Sequence, residues 1–392
     1  MKAWHFITGE YPPQLGGVAD HTRNLARGLA AAGEEVHVWA PSNGAARPSD
    51  DSVTVHVLPD HFGPRALQVL SRSLNGIGGR IFVQYVPHAF GWKAMNLPFC
   101  LWLLSRRRQP VAVMFHEVAF PMSRKQPFRH NVLGAVNRLM AMLVARAADR
   151  IYVPTPGWGE ALRPLIPANR RVEWLPVCSN VPPIDDPGAV KMIRARYSGA
   201  SLVGHFGAYD PFTAEMFAAV APAILSDRDD AALLLLGEHS VDFRDKLLRK
   251  NAQLARRVHA TGALAADDLS RHLRACDVMV QPYADGVSTR RTSLMACLDH
   301  GIPVVTTSGV LTEPLWAESG AVIVVPWGDV AAARRATLRL LDEEGERARL
   351  ARIGRELYAR RFDLRHAVQA LLNSPGRSDS AKAVSPVPCE LQ

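Results

Sequence analysis

Short apolar runs alternate with longer amphipathic segments along the first half of the chain. The runs are rich in Val, Ile and Phe, as strands buried on both faces usually are. Between them apolar residues recur at helical spacing, as in 132–147. This alternation predicts a parallel sheet covered by helices on both faces. We predict its strands at 4–8, 36–40, 53–58, 81–85, 111–116, 151–154 and 171–175.

The second half repeats the pattern, with strands predicted at 201–206, 232–236, 258–261, 278–281, 304–306 and 321–325. Two domains agree with a length of 392 residues, because a single core rarely grows beyond about 300 residues. Residues 176–187 contain four prolines and interrupt the alternation, which indicates a linker. We therefore expect an N-terminal domain at 1–180, a C-terminal domain at 188–355 and, from its Ser, Pro and Gly content, a disordered tail at 373–392.

The first strand leads directly into a turn that contains Gly16 and Gly17, and a helix follows. A strand, a glycine turn and a helix N-terminus in this order form an anion site. Free backbone N–H groups and the positive end of the helix dipole meet at the turn, and glycine lets the backbone approach a ligand. The turn therefore predicts a phosphate ligand. The spacing is not G-x-G-x-x-G, so the NAD fingerprint is absent.

The net charge of +9 favours an anionic partner. Part of this charge lies in 93–108, where an apolar stretch with Phe99 and Trp102 ends in Arg106, Arg107 and Arg108. Such a segment can lie on an anionic membrane surface, or it can form a half-buried helix with a solvated end, and the sequence leaves both interpretations open. Nucleic acid is disfavoured because no nucleic-acid-binding motif accompanies the charge.

No apolar run reaches the roughly 18 residues of a membrane span and no signal peptide is evident, so we expect a cytoplasmic protein, with peripheral association at the inner face of the membrane.

Several motifs appear in an order that resembles the GT4 family of retaining glycosyltransferases. They are the turn from Gly16 to His21, the pair His116-Glu117, residues 277–282 (DVMVQP) and residues 301–307 (GIPVVTT). The resemblance extends over about 1–370. It implies the GT-B fold, in which two Rossmann-like, doubly wound parallel-sheet domains face a central cleft. It also implies that a helix at 356–372 crosses back to the N-terminal domain.

Ligands of parallel sheets bind beyond the carboxyl ends of the strands. We expect His116, Glu117 and Asp285 to be catalytic, and the resemblance implies that His116 contacts the transferred sugar. His titrates near neutral pH, so it can donate to a sugar hydroxyl or stabilise developing charge. The other strand-end loops carry His88 and the expected donor-binding residues Gly16, Gly17, Gly207, Gly237, Glu238, Ser288, Arg290, Arg291, Thr292 and Ser293.

The chain departs from the family in its donor site. Alignment on residues 301–305 puts Ser288 and Ala296 where the family has the two glutamates of its E-x7-E motif, which contact the donor sugar and the ribose. Asp285 is the nearest carboxylate that can replace the first glutamate, and the Ser288 and Thr292 hydroxyls can bond the sugar or the ribose more weakly.

A second departure concerns the phosphates of the donor. The family usually holds them with an Arg and a Lys, but 197–227 contains neither residue type. Arg290 and Arg291 precede a helix predicted at 293–298, where Thr292 or Ser293 can cap it. Guanidinium groups beside a helix N-terminus suit a diphosphate, so we expect these two arginines to replace the missing clamp.

These observations favour a retaining glycosyltransferase that moves a sugar from a nucleotide-diphosphate sugar to a glycan or lipid-linked acceptor, in cell-envelope or exopolysaccharide synthesis. The resemblance implies no essential metal and no cofactor. Five scattered cysteines without a C-x-x-C pair likewise argue against a zinc site. The loss of both glutamates leaves a non-catalytic GT-B binding or assembly protein as an alternative. A sugar-nucleotide epimerase ranks last, because it needs acid/base carboxylates and only Asp285, Glu117 and Glu238 are available.

Overall fold

A computed structural model describes residues 3–14, 16–42, 52–197 and 200–373. Contacts between Cα atoms divide the chain into two compact units. Unit 1 contains the chain up to Leu175 together with the segment from Arg365, and unit 2 runs from Pro176 to Leu364.

Unit 1 is built on a seven-stranded parallel sheet with the order β3-β2-β1-β4-β5-β6-β7. Its strands are β1 (Trp4–Thr8), β2 (Val36–Pro41), β3 (Thr54–Leu58), β4 (Arg80–Tyr85), β5 (Val111–Phe115), β6 (Arg150–Val153) and β7 (Val172–Trp174). The sheet reverses its winding between β1 and β4, and at such a point the loops at the carboxyl ends of the strands form a crevice.

The helices of unit 1 pack their apolar sides against this sheet. They are α1 (Gly17–Ala31), α2 (Pro64–Ile77), α3 (Leu97–Ser105), α4 (Phe128–Ala147) and α5 (Pro156–Leu162). In α4, for example, Met140, Ala141 and Val144 are fully buried in the core.

Unit 2 has a six-stranded parallel sheet with the Rossmann order β10-β9-β8-β11-β12-β13. Its strands are β8 (Ser201–Phe206), β9 (Ala231–Leu236), β10 (Val258–Ala260), β11 (Val278–Gln281), β12 (Val304–Ser308) and β13 (Ile323–Pro326). Its helices are α6 (Pro187–Ala195), α7 (Pro211–Asp227), α8 (Ser240–Lys250), α9 (Ala266–Ala275), α10 (Thr292–Asp299), α11 (Leu315–Ser319), α12 (Val330–Asp342) and α13 (Glu344–Arg361). A last helix, α14 (Leu364–Leu372), continues into the segment that belongs to unit 1.

The two parallel sheets predicted from the sequence are confirmed, and each predicted strand is found within two residues of its expected ends. The proline-rich residues 176–186 contain no helix or strand, and α6 begins at Pro187. The helical pattern over 330–361 is divided at Glu343 into two helices. The predicted disordered tail lies outside the described residues except for Asn373.

The structure favours the second of the two interpretations of the segment with Phe99 and Trp102. Phe99 is fully buried, and its ring packs against Phe62 and Phe90. The indole N–H of Trp102 donates to the hydroxyl of Ser71 at 2.8 Å, so this side chain is also committed to the protein. Helix α3 is therefore the half-buried helix of the second interpretation. In the described part of the chain, no helix is both long and apolar enough to cross a bilayer.

Candidate functional site

In unit 1 the predicted anion site at the start of α1 holds a carboxylate of the chain itself. Backbone N–H groups of Val18 and Ala19 bond the side chain of Glu10, whose oxygens lie about 3.1 Å from the place where a Cβ on Gly16 would be. Burial raises the pKa of Glu10, and the positive charge of His88 and these two N–H groups oppose that rise. As the structure stands, a phosphate at Gly16 and Gly17 would have to displace this carboxylate.

His88 and Glu117 form an ion pair at the carboxyl ends of β4 and β5, with Nδ1 of His88 3.4 Å from a carboxylate oxygen of Glu117. The hydrogen bond to Glu117 raises the pKa of His88, while burial acts in the opposite direction. Both side chains are largely exposed, so the pair is accessible to a ligand.

His116, which follows β5, is nearly buried at 7% exposure. Its Nε2 lies 2.6 Å from Oε1 of Gln84, and with the amide in this orientation the oxygen accepts from an N–H on Nε2. The ring of His21 meets the His116 ring edge-on, with centroids 5.4 Å apart. Burial lowers the pKa of His21 to about 4, so this neighbouring imidazole is neutral at pH 7 and adds no positive charge beside His116.

In unit 2, Gly207 and Gly237 follow β8 and β9 and bring two strand-end loops into contact. Gly237 has a φ of 115°, and a Cβ at this position would lie 2.4 Å from the carbonyl oxygen of Gly207. A side chain is therefore excluded at Gly237 on both conformational and steric grounds. The next residue, Glu238, is exposed.

The start of α7 is already capped. The Asp210 carboxylate accepts from the backbone N–H of Phe212 at 3.1 Å and from that of Thr213 at 3.2 Å. With this carboxylate in place and no Lys or Arg in 197–227, the loop after β8 offers a phosphate no positive side chain.

The loop between β11 and α10 brings the two predicted arginines together. Arg290 and Arg291 both form ion pairs with Asp285, and the Arg291 guanidinium lies over the Tyr283 ring, 4.5 Å from its centroid. The Tyr283 hydroxyl in turn bonds the Ser293 hydroxyl at 2.9 Å. Adjacent side chains need not point the same way, and here they converge on one carboxylate.

The charges in this loop influence one another. Burial alone would raise the pKa of Asp285, but the charges and hydrogen bonds of Arg291 and Arg290 outweigh burial and lower it. Burial lowers the pKa of Arg291, and the neighbouring Arg290 charge acts in the same direction. Two cations and one anion leave the loop with one net positive charge.

Neither predicted capping residue caps α10. Arg291 occupies the N-cap position, where its guanidinium cannot accept from the first N–H groups, and the Ser293 hydroxyl bonds Tyr283 instead. Ser288 and Ala296, the positions at which the sequence alignment expects the family's two glutamates, are both fully buried. Contact between Ser288 and a ligand would require the loop to open.

Sequence reasoning missed Glu313, which follows β12. It is buried at 8% exposure, and its carboxylate accepts from the backbone N–H of Thr289 at 3.0 Å, from the Thr289 hydroxyl at 2.6 Å and from the Trp316 indole N–H. A carboxylate 24 residues from Thr289 thus holds the backbone between Ser288 and Arg290. Only the apolar surroundings of Glu313 in the sequence hint at such a role.

Comparison with known families matches one domain to each sheet. Residues 16–178 match the glycosyl transferase 4-like domain, and residues 200–343 match the glycosyl transferases group 1 family. Comparison with curated protein sequences gave no significant match.

Solved structures with the same architecture cover almost the whole chain. Sucrose-phosphate synthase from Thermosynechococcus elongatus is 16% identical with a TM-score of 0.74, over 95% of this chain and 97% of that one. HepE from Anabaena, solved with UDP-glucose, is 14% identical with a TM-score of 0.69, over 95% and 98%. WaaG, a glycosyltransferase involved in lipopolysaccharide biosynthesis, is 14% identical with a TM-score of 0.67, over 94% and 98%.

Two parallel Rossmann-like sheets and these structural neighbours define the GT-B fold. With a glycosyltransferase domain matched on each sheet, the chain is a glycosyltransferase of that fold.

Proposed function

We propose that this enzyme is a retaining glycosyltransferase that uses a nucleotide-diphosphate sugar and transfers the sugar to a hydroxyl of a glycan or lipid-linked acceptor. The observation that carries the proposal is the convergence of Arg290 and Arg291 at the start of α10. Two guanidinium groups at a helix N-terminus are suited to the charge that develops on a leaving diphosphate.

The contrast with other helix starts supports this choice. The N-terminus of α1 is bonded by Glu10 and that of α7 by Asp210, so both carry a carboxylate where an anion would bind. At α10 the N-cap residue is Arg291, which cannot accept a capping hydrogen bond, and the nearby carboxylate, Asp285, is itself bound by arginines. The complex of HepE with UDP-glucose supports a nucleotide-sugar donor.

In the proposed reaction the bond between the sugar C1 and the diphosphate oxygen breaks while the arginines neutralise the leaving diphosphate. The acceptor hydroxyl bonds C1 from the same face, and its proton passes to the departing phosphate oxygen. This front-face route requires no protein nucleophile, which fits a loop without the family's two glutamates. His116 acts on a hydroxyl of the transferred sugar through its ring, held by Gln84. Catalysis then depends on positioning and electrostatics, without an essential metal.

We further propose that the transfer serves cell-envelope or exopolysaccharide synthesis, with the enzyme in the cytoplasm and peripheral on an anionic membrane surface. The involvement of the structurally similar WaaG in lipopolysaccharide biosynthesis and the net charge of +9 support this setting.

A thermal-shift screen against UDP, GDP, ADP and their sugars identifies the donor, since a ligand at 100 times its Kd stabilises the protein by about 2.7 kcal/mol. Transfer to an acceptor pool, followed by NMR of the product, then reports the anomeric configuration. A product with the donor's configuration supports the proposal, and an inverted product contradicts it. Nucleotide-sugar binding without turnover would favour the non-catalytic alternative.

A further inference from the structure

Positive charge is concentrated in one part of unit 1. Residues 61–148 contain twelve Lys and Arg residues and a single acidic residue, Glu117, so this segment alone is more positive than the whole chain at +9. A surface formed by such a segment repels other cations and attracts an extended anionic partner.

Helix α4 lies within this segment and is apolar on two sides. Its buried side packs in the core of unit 1 through residues such as Met140 and Val144. On the other side Phe128, Val132 and Leu139 are 81%, 41% and 40% exposed, at a spacing that aligns them along one stripe of the helix. A soluble helix normally turns charged residues toward water, so an exposed apolar stripe indicates a partner.

The loop before α4 also exposes Phe120 and Met122, at 38% and 47%. Asn131 fixes this loop: its side chain accepts from the backbone N–H of Ser123 at 3.0 Å and from the Gln126 amide at 2.8 Å, and it donates to the Ser123 carbonyl at 3.0 Å. The exposed side chains are therefore presented on an ordered backbone, which lowers the entropy lost when they bind.

Three cations lie close to Phe128 in the sequence. Arg124, Lys125 and Arg129 are exposed, and within the described ranges none of them forms an ion pair with an acidic side chain. We define these three residues with Phe128, Val132 and Leu139 as the Phe128 surface.

We propose that the Phe128 surface docks the enzyme on an anionic lipid bilayer, with Phe128 at the level of the headgroups and the three cations among the lipid phosphates. This inference deepens the membrane association stated under the proposed function and names the residues responsible for it. Apolar side chains in the interfacial layer and cations at an anionic surface are the two contributions that hold peripheral helices on membranes. A nucleic acid would satisfy the cations but would leave Val132 and Leu139 without an apolar partner.

Co-sedimentation with vesicles tests the proposal without any sugar donor. The full-length protein should bind vesicles that contain phosphatidylglycerol at low salt, bind phosphatidylcholine vesicles much more weakly, and leave the anionic vesicles as salt screens the charges. Co-sedimentation does not measure sugar transfer. A protein that fails to bind vesicles can therefore still be a transferase, and a protein that fails to bind a donor can still dock on a bilayer through the Phe128 surface.

Two pairs of variants distinguish an effect of the Phe128 surface from an effect of the protein's net charge or of its exposed apolar residues in general. The triple substitution Arg124→Gln, Lys125→Gln, Arg129→Gln should weaken partition about 100-fold, at about fivefold per charge. The matched triple Lys246→Gln, Arg249→Gln, Lys250→Gln removes the same charge from exposed positions on α8 and should change partition less than threefold.

Phe128→Ser should weaken partition into the vesicles about tenfold. The matched control is Phe212→Ser at the start of α7, where Phe212 is 66% exposed, and it should have little effect. Circular dichroism verifies the fold of every variant. Equal binding to neutral and anionic vesicles, or equal losses in the matched variants, would overturn the proposal. So would an absence of vesicle binding, which would leave the surface for an acidic protein or a nucleic acid.

Discussion

The carboxylate of Glu313 accepts hydrogen bonds from both the backbone N–H and the hydroxyl of Thr289. Thr289 directly precedes Arg290, so a buried carboxylate from the loop after β12 orients the loop that carries the two arginines. The backbone N–H of Tyr283 donates to the Thr307 hydroxyl at 2.7 Å, and that of Val287 donates to the Thr307 carbonyl at 2.8 Å. The loop after β11 is thus held by residues at the end of β12 and beyond it.

Glu313→Ala should therefore loosen the arginine loop. The substitution leaves the Thr289 N–H without its buried acceptor, which should lower the free energy of unfolding by about 2 kcal/mol and weaken nucleotide binding about tenfold. Thr289→Val serves as the control, because it removes the hydroxyl but keeps the backbone bond, and its effects should be smaller. Denaturant unfolding and calorimetric titration measure the two quantities. Unchanged nucleotide affinity in a destabilised Glu313→Ala protein would limit Glu313 to a role in folding.

Asp285→Asn separates two roles for this carboxylate. In the structure Asp285 neutralises part of the charge on Arg290 and Arg291, so removing its charge should tighten nucleotide-diphosphate binding about fivefold. If Asp285 also contacts the transferred sugar, turnover should fall while binding improves. Weaker nucleotide binding by the variant would show that the carboxylate mainly orients the arginines.

His116→Ala should slow transfer without weakening nucleotide binding. The imidazole belongs to unit 1, whereas the proposed nucleotide site consists of residues of unit 2. We expect kcat to fall about 100-fold or more, as for other positioned acid/base groups, while the Kd for the nucleoside diphosphate stays within twofold. A comparable loss of nucleotide affinity would contradict this division of roles.

The strands could be predicted from the sequence because buried β-branched runs are a local signal. The run 278–281 was assigned without error, and the glycine loops follow the strands as expected. The partners of a side chain depend on the tertiary structure, so the sequence predicts them less well. Nothing in the local sequence shows that Glu10 occupies the N-terminus of α1.

The same limit explains the other differences. Glu313 reaches Thr289 only through the pairing of β11 with β12, so the contact depends on the sheet. The sequence shows only that Phe99 lies in an apolar stretch that ends in arginines. In the structure its ring packs with those of Phe62 and Phe90, which come from other parts of the chain. The role of the arginine pair stays a prediction, and its sequence evidence is local, namely the lack of Lys and Arg in 197–227 together with two adjacent arginines before α10.

Asp299 gives unit 2 a defined pH dependence. Burial, followed by the nearby charge of Asp363, raises the pKa of Asp299 to about 7 in the folded protein, well above its ordinary value of 3.8. A raised carboxyl pKa means that stability from this group is present at pH 4 and is lost as pH rises toward 7. Asp299→Asn should therefore stabilise the protein at pH 8, by about 1 to 2 kcal/mol after allowance for solvent screening, and have little effect at pH 4. Melting temperatures that differ equally at both pH values would contradict this sign.

The central claim is that Arg290 and Arg291 hold the diphosphate of the donor, and calorimetric titration of the responsive nucleoside diphosphate tests it most directly. A charged hydrogen bond contributes about 1.5 to 3 kcal/mol, so each Arg→Ala variant should weaken binding at least about tenfold and the double variant about 100-fold or more. Substitution by Lys should restore only part of the affinity, because an ammonium lacks the planar fork. The double variant Arg249→Ala, Arg256→Ala removes equal charge from exposed positions of unit 2 and should bind normally. If the Arg290/Arg291 double variant, with its fold verified by circular dichroism, binds within a few-fold of the unmodified protein, the claim is wrong.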